Sequence, residues 1–118
     1  MKKIIYSAIA LAIVLISACS PKGGKTTAAT TPAVDPMEAQ LIAAKTKYPD
    51  ATTDQLKKGT IIYYGEPCTR CHSAKTITNF SADELPGIID HMAKKAKISD
   101  EEKDAVLKYV MGVRLAAK

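Results

Sequence analysis

The sequence predicts a small all-α domain, on three observations. From Met37 onward, apolar residues recur at the three- and four-residue spacing of helices and do not alternate as in strands. The breaks in that pattern carry helix-capping residues. The chain has 118 residues, and the part before Met37 has the composition of an export signal and a linker, so we expect one domain only.

A proline and a capping box bound the first two expected helices. The first is expected over about 36–46, because the residue before Pro49 disfavours the α region. The second is expected to begin at Thr52, whose spacing to Gln55 is that of a capping box, and to run to about Gly65.

A loop and a third long helix are expected further along the chain. Residues 73–80 are expected to form the loop. Ser81 and Glu84 have capping-box spacing, but Pro86 lacks a backbone donor and crowds the turn before it. We therefore expect a loose first turn, followed by a regular helix over 86–96.

The last helix is expected to begin at Ser99, which has capping-box spacing to Glu102, and to run to about Leu115. Its expected buried stripe is formed by Val106, Tyr109, Val110 and Val113. Met111 falls off that stripe, so we expect its side chain to lie off the buried face.

Residues 1–18 have the layout of a bacterial export signal. A short lysine-containing segment precedes the apolar run 4–16, and small residues precede Cys19. The run is shorter than the ~20 residues that a helix needs to cross the hydrocarbon core. A permanent transmembrane helix is therefore the weaker interpretation.

The segment Ile16-Ser17-Ala18-Cys19 resembles the lipobox of bacterial lipoproteins, with isoleucine where the family more often has leucine. The resemblance implies cleavage before Cys19, lipid on its sulfur, and stable anchoring through more than one acyl chain. The alternative is an ordinary signal peptide with an incidental cysteine. We expect a signal peptide at 1–18, a lipidated N-terminus and flexible linker at 19–36, and a folded domain at 37–118. The domain would face the periplasm from the inner or the outer membrane.

The sequence Cys68-Thr69-Arg70-Cys71-His72 is the most informative motif of the chain. Its two thiols can bond to the vinyl groups of one haem, and the adjacent imidazole can ligate the iron, so it predicts one covalent haem c. Cys68 and Cys71 would attach the ring, and His72 would be an axial ligand. With Cys19 lipidated, none of the three cysteines is left for a structural disulfide.

Two other chemistries share parts of this motif. A disulfide oxidoreductase also uses Cys-x-x-Cys, but it would need a βαβ unit around the motif, and none is evident. A structural zinc site needs four ligands, and His91 is the only histidine outside the motif.

The motif and its flanking helices resemble class I cytochromes c over about 52–115. In that family a helix before the motif crosses the last helix at a glycine beside an interlocking aromatic residue. Gly59 and Tyr63 before the motif, with Val106 and Tyr109 on the last helix, are similar to that crossing. The alternative is ordinary amphipathic packing. The resemblance implies a small cytochrome c fold around one haem and a one-electron carrier, not an enzyme.

The second axial ligand is expected to be Met92. It lies near the centre of an apolar stripe formed by Leu85, Ile88, Ile89, Met92, Ala93 and Ala96. His91 falls about 100° away and is expected to be solvated. Met111 comes late in the chain, whereas the resemblance implies a methionine before the last helix. A core methionine, a bis-histidine iron and an open sixth position remain alternatives.

The charge of the chain indicates a protein partner and no nucleic acid. The formal net charge is +5, or +3 once Lys2 and Lys3 leave with the signal peptide. That mild excess is compatible with an acidic docking surface on a redox partner. The remaining alternatives are a haem sensor or docking subunit of a larger oxidoreductase, and an enzyme that reduces peroxide at an open iron.

Overall fold

The computed structural model describes residues 34–117, and these residues form helices with no strand. The helices are α1 (Pro36–Lys45), α2 (Thr53–Tyr64), α3 (Glu66–Thr69), α4 (Leu85–Ala96) and α5 (Asp100–Ala116), with a 3-10 turn at Ile77–Asn79. The all-α prediction is confirmed for this part of the chain. The predicted signal peptide, Cys19 and the linker up to residue 33 lie outside the described residues.

The predicted capping boxes are present and begin α2 and α5. At α2, the Gln55 amide donates to Thr52 Oγ1 over 3.2 Å, and the Thr52 amide donates to Gln55 Oε1 over 3.0 Å. Ser99 and Glu102 make the same reciprocal pair at α5, with distances of 3.2 and 2.8 Å. These bonds satisfy amide groups that have no partner within the helix.

The start of α4 also follows the prediction. Ser81 and Glu84 exchange hydrogen bonds of 2.9 and 3.3 Å around a turn, and regular helix begins at Leu85. Pro86 therefore stands in the first turn, where its missing donor costs nothing. Lys97 ends the helix in the left-handed conformation, with φ 56°.

Two glycines let α5 pack closely against α2 and α1. A Cβ atom on Gly59 would lie 2.2 Å from the backbone oxygen of Ala105, and one on Gly112 would lie 2.6 Å from that of Gln40. The rings of Tyr63 and Tyr109 lie 6.0 Å apart beside the first crossing. The predicted contact of Gly59 and Tyr63 with the last helix is therefore confirmed as a helix crossing.

The expected position of Met111 is wrong. Its side chain is only 2% exposed and belongs to the main core cluster with Val106 and Val110. The prediction treated α5 as a helix with one buried face, whereas α1, α2 and α4 all pack against it. Contact on several sides buries positions that a single stripe would leave in solvent.

No helix in the range 34–117 is long and apolar enough to cross a membrane.

Candidate haem-binding site

The motif begins at a sharp junction between α2 and α3. Gly65 both ends α2 and precedes α3, and a Cβ atom there would lie 2.6 Å from the backbone oxygen of Ile61. The Thr69 hydroxyl donates to the Gly65 carbonyl over 2.8 Å and so closes the short helix. As a result Cys68 lies in α3, one turn beyond the end of α2, while Cys71 and His72 follow in the bend after it.

The side chains of the motif differ in exposure. Cys68 is partly buried, whereas Cys71 and His72 are exposed, and neither cysteine forms a disulfide. Burial raises the pKa of the Cys68 thiol. A disulfide oxidoreductase needs the opposite shift, because the thiolate is its nucleophile.

His72 is oriented by the backbone. Its Nδ1 lies 2.8 Å from the carbonyl oxygen of Ser73. When Nδ1 donates its proton to that oxygen, Nε2 keeps its lone pair and can bind a metal ion.

One apolar cavity collects the predicted residues. It has a volume of about 250 Å³. The cysteines, His72 and Met92 all line it, whereas His91 is exposed and Met111 is buried elsewhere. The remaining lining residues are Tyr63, Pro67, Arg70, Ala74, Lys75, Phe80, Leu85, Ile88, Ile89, Lys95 and Ala96.

Helix α4 supplies a second part of the cavity wall. Leu85 and Ile89 are buried, and Ile88, Met92 and Ala96 are partly buried along the same face. The predicted stripe on this helix is confirmed, with Ala93 turned into the core. Met92 therefore borders the cavity from within a regular helix.

The loop between the motif and α4 is fixed by hydrogen bonds that sequence reasoning missed. Tyr63 donates its hydroxyl proton to the Lys75 carbonyl over 2.8 Å, and Arg114 Nε donates to the Phe80 carbonyl over 2.7 Å. Phe80 is the only phenylalanine of the chain. Its being the only phenylalanine is the one feature of the sequence that could have indicated its place in the cavity wall.

The charged residues of the cavity wall are all cationic. They are Arg70, Lys75 and Lys95, and no carboxylate lines the cavity. Arg70 has one long contact, of 3.9 Å, to Glu66. Lys94, which does not line the cavity, is exposed and pairs with Asp90 at 2.7 Å.

The residues present fit a c-type haem. Two free thiols, an imidazole with its Nε2 available and a thioether border one pocket whose remaining wall is mainly apolar. Within residues 34–117, no group of three or more His, Cys, Asp or Glu side chains is arranged to hold a metal ion on its own.

Comparison with known proteins gives no relative: no family model, curated protein or solved structure matches the chain. The helical architecture and the residues of the cavity are thus the observations that bear on function.

Proposed function

We propose that the chain is a membrane-tethered electron carrier of the class I cytochrome c type, with one covalent haem c. One observation carries the proposal: Cys68, Cys71, His72 and Met92 border a single apolar cavity. The two cysteines of a Cys-x-x-Cys-His motif are the attachment residues of c-type haem.

The four side chains have separate roles. Cys68 and Cys71 would hold the porphyrin through thioether bonds, and His72 through Nε2 and Met92 through its sulfur would bind the iron. When bound, the haem iron supplies reversible one-electron chemistry between the ferrous and ferric states. A thioether ligand raises the reduction potential relative to a second imidazole.

The cavity wall favours a carrier over an enzyme. Apolar side chains from α4 and Phe80 would keep water away from the haem face. Peroxide reduction would need an acid–base group on that face, and His91, the candidate for it, points to solvent.

The proposal includes the location and the partner. Cys19 would carry the lipid anchor and hold the domain on the periplasmic side of a bacterial membrane. The cationic side chains in the cavity wall would meet an acidic surface on a redox partner protein.

The test is an optical spectrum of the protein produced in cells that mature c-type cytochromes. We expect a c-type pyridine haemochrome and a weak far-red band of methionine-ligated ferric iron. A His72→Ala variant should lose the far-red band. A protein purified without haem from such cells would contradict the proposal.

A further inference from the structure

A second apolar depression lies between α1 and the end of α5. This α1–α5 groove has a volume of about 570 Å³ and is lined by Val34, Ala39, Ile42, Ala43, Thr46, Leu115 and Ala116. Ile42 is 60% exposed and Val34 is 51% exposed. The groove therefore places large apolar side chains in solvent, and no charged side chain lines it.

The preceding chain joins the domain at this groove. Val34 is both a lining residue and the first described residue, so residues 1–33 precede the groove directly. The proposed lipid site, Cys19, is fifteen residues earlier. A flexible chain of that length spans roughly 20 Å on average. An anchor at this distance would hold the groove near the bilayer at an effective concentration on the order of millimolar.

The groove and the haem cavity are lined by different residues. In the described part of the chain, α1 packs against α2 and α5 but makes no contact with α3 or α4. The cavity is lined from α2, α3, α4 and the loop between the last two, and it shares no residue with the groove. A surface seated on the groove would leave the cavity open to a partner.

The charged side chains beside the groove suit contact with lipid headgroups at the end of α1. Lys45 and Lys47 are exposed on either side of the lining residue Thr46, at the end of α1. Asp35 and Glu38 are exposed at its beginning. The end of α1 would thus lie closest to the lipid phosphates.

We propose that the α1–α5 groove is a membrane-contact surface. It would rest on the bilayer that holds the lipid of Cys19, with Val34 and Ile42 at the boundary of the acyl chains. The domain would then have a preferred orientation, with the haem cavity outside the surface that contacts the lipid. This inference rests on the proposed lipid anchor, and the experiment separates the two.

The experiment uses a nitroxide label on the full-length, lipidated, haem-loaded protein in the reduced state. Ile42→Cys places the label at the groove, and Ile61→Cys, 73% exposed on α2, is the matched control. Because lipid would occupy Cys19 and haem would occupy Cys68 and Cys71, the introduced thiol is the only one that can react with the label. In vesicles of equal parts phosphatidylcholine and phosphatidylglycerol, collisions of the label at position 42 with oxygen should rise several-fold relative to those with a water-soluble nickel chelate. At position 61, the ratio of collisions with oxygen to collisions with the nickel chelate should not change.

Each other outcome has a distinct meaning. Equal ratios at positions 42 and 61 in protein that floats with the vesicles would overturn the contact surface but leave the anchor intact. Spin–spin broadening at position 42 that disappears on dilution with unlabelled protein would identify a second copy as the occupant, and would also overturn the proposal. Protein that fails to float would refute the anchor, and the contact surface with it. The haem spectrum of the same sample reports separately on the electron-carrier proposal.

Discussion

Met92 is the residue that would decide whether the haem iron is closed or reactive. It lines, from α4, the same cavity as the motif residues. Met92→Ala should keep the haem, because the cysteines and His72 are unchanged. It should lose the far-red sulfur–iron band, fall in potential and bind carbon monoxide when reduced. Optical spectra and a redox titration measure all three changes.

The neighbouring His91 supplies the control for that prediction. It is exposed and does not line the cavity, so His91→Ala should leave the spectrum and potential unchanged. A bis-histidine iron would reverse the pattern, with His91→Ala opening the iron and Met92→Ala leaving it closed. Met111→Ala should also keep the iron closed, but it should lower the free energy of unfolding by about 2–5 kcal/mol because it leaves a buried cavity.

At the scale of the helices, the crossing of α2 and α5 depends on Gly59. Gly59→Ala would place a Cβ atom 2.2 Å from the Ala105 carbonyl oxygen, so the two helices would have to move apart. We expect a loss of about 1–3 kcal/mol in the free energy of unfolding, as for other overpacked contacts. Denaturant unfolding followed by circular dichroism measures it.

Gly87 is the matched control for this crossing. It also lies in a helix, but a Cβ atom there would meet nothing within 4 Å. Gly87→Ala should therefore stabilise the protein by about 0.5–1 kcal/mol, through the lower entropy of its unfolded chain. If both variants changed stability equally, the close approach at Gly59 would not be the cause.

An ion-pair cluster around Lys108 joins α5 to the loop between α1 and α2. The Lys108 side chain is 2% exposed, and its ammonium group lies 2.5 Å from Asp50 and 2.8 Å from Asp104. Its hydrogen bond lowers the pKa of Asp50. Burial lowers the pKa of Lys108, but the bonds to Asp104 and Asp50 outweigh burial and hold the pKa above its ordinary value.

These shifts give the cluster a pH dependence of known sign. Asp50 binds its proton less readily in the folded state, so its stabilisation is present at neutral pH and is lost as pH falls below about 4. Lys108→Met removes the hydrogen bond that lowers the pKa of Asp50. The free energy of unfolding should therefore fall less steeply on acidification than in the natural protein. Unfolding curves measured across that range test this. Lys45→Met, which removes a lysine with no ion pair among the described residues, should keep the natural slope, and a natural slope for Lys108→Met would refute the coupling.

The helix boundaries were predictable because their signals are local. Thr52 with Gln55 and Ser99 with Glu102 each specify a helix start within four residues. The short α3 was missed because four residues carry no periodicity. The burial of Met111 was missed because it depends on residues of other helices, among them Ile62 of α2 and Ile89 of α4, which no pattern within α5 reports.

The residues of the candidate site also fall into two groups: those that local sequence patterns predicted and those that only the fold brings together. The motif named Cys68, Cys71 and His72 from five consecutive residues, and the apolar stripe of α4 named Met92. Phe80 and its hydrogen bond to Arg114 join positions 34 residues apart, so only the folded chain brings them together.

For the molecule as a whole, the cationic wall of the cavity should set the rate of electron exchange with charged reagents. Replacing Lys75 and Lys95 together by glutamate should slow oxidation by an anionic iron complex about tenfold at low salt, and should speed oxidation by a cationic cobalt complex. Stopped-flow absorbance of the haem measures both rates.

The control for this charge effect is a double change of Lys45 and Lys47 to glutamate, which alters the net charge equally on α1 and the turn after it. Compared at 0.1 M salt, where exposed charges are screened over ~10 Å, its effect should be much smaller than that of the change at Lys75 and Lys95. Rates of the natural protein that stay constant as salt rises would point to apolar docking at the haem edge.

The most direct test of the central claim is the intact mass of the mature protein under denaturing conditions, after treatment with a thiol-alkylating reagent. A covalent haem would remain on the unfolded chain, so we expect the mass of one haem per chain and no alkyl group on Cys68 or Cys71. A haem-free chain alkylated at both cysteines, from cells that attach haem to other c-type cytochromes, would contradict the account.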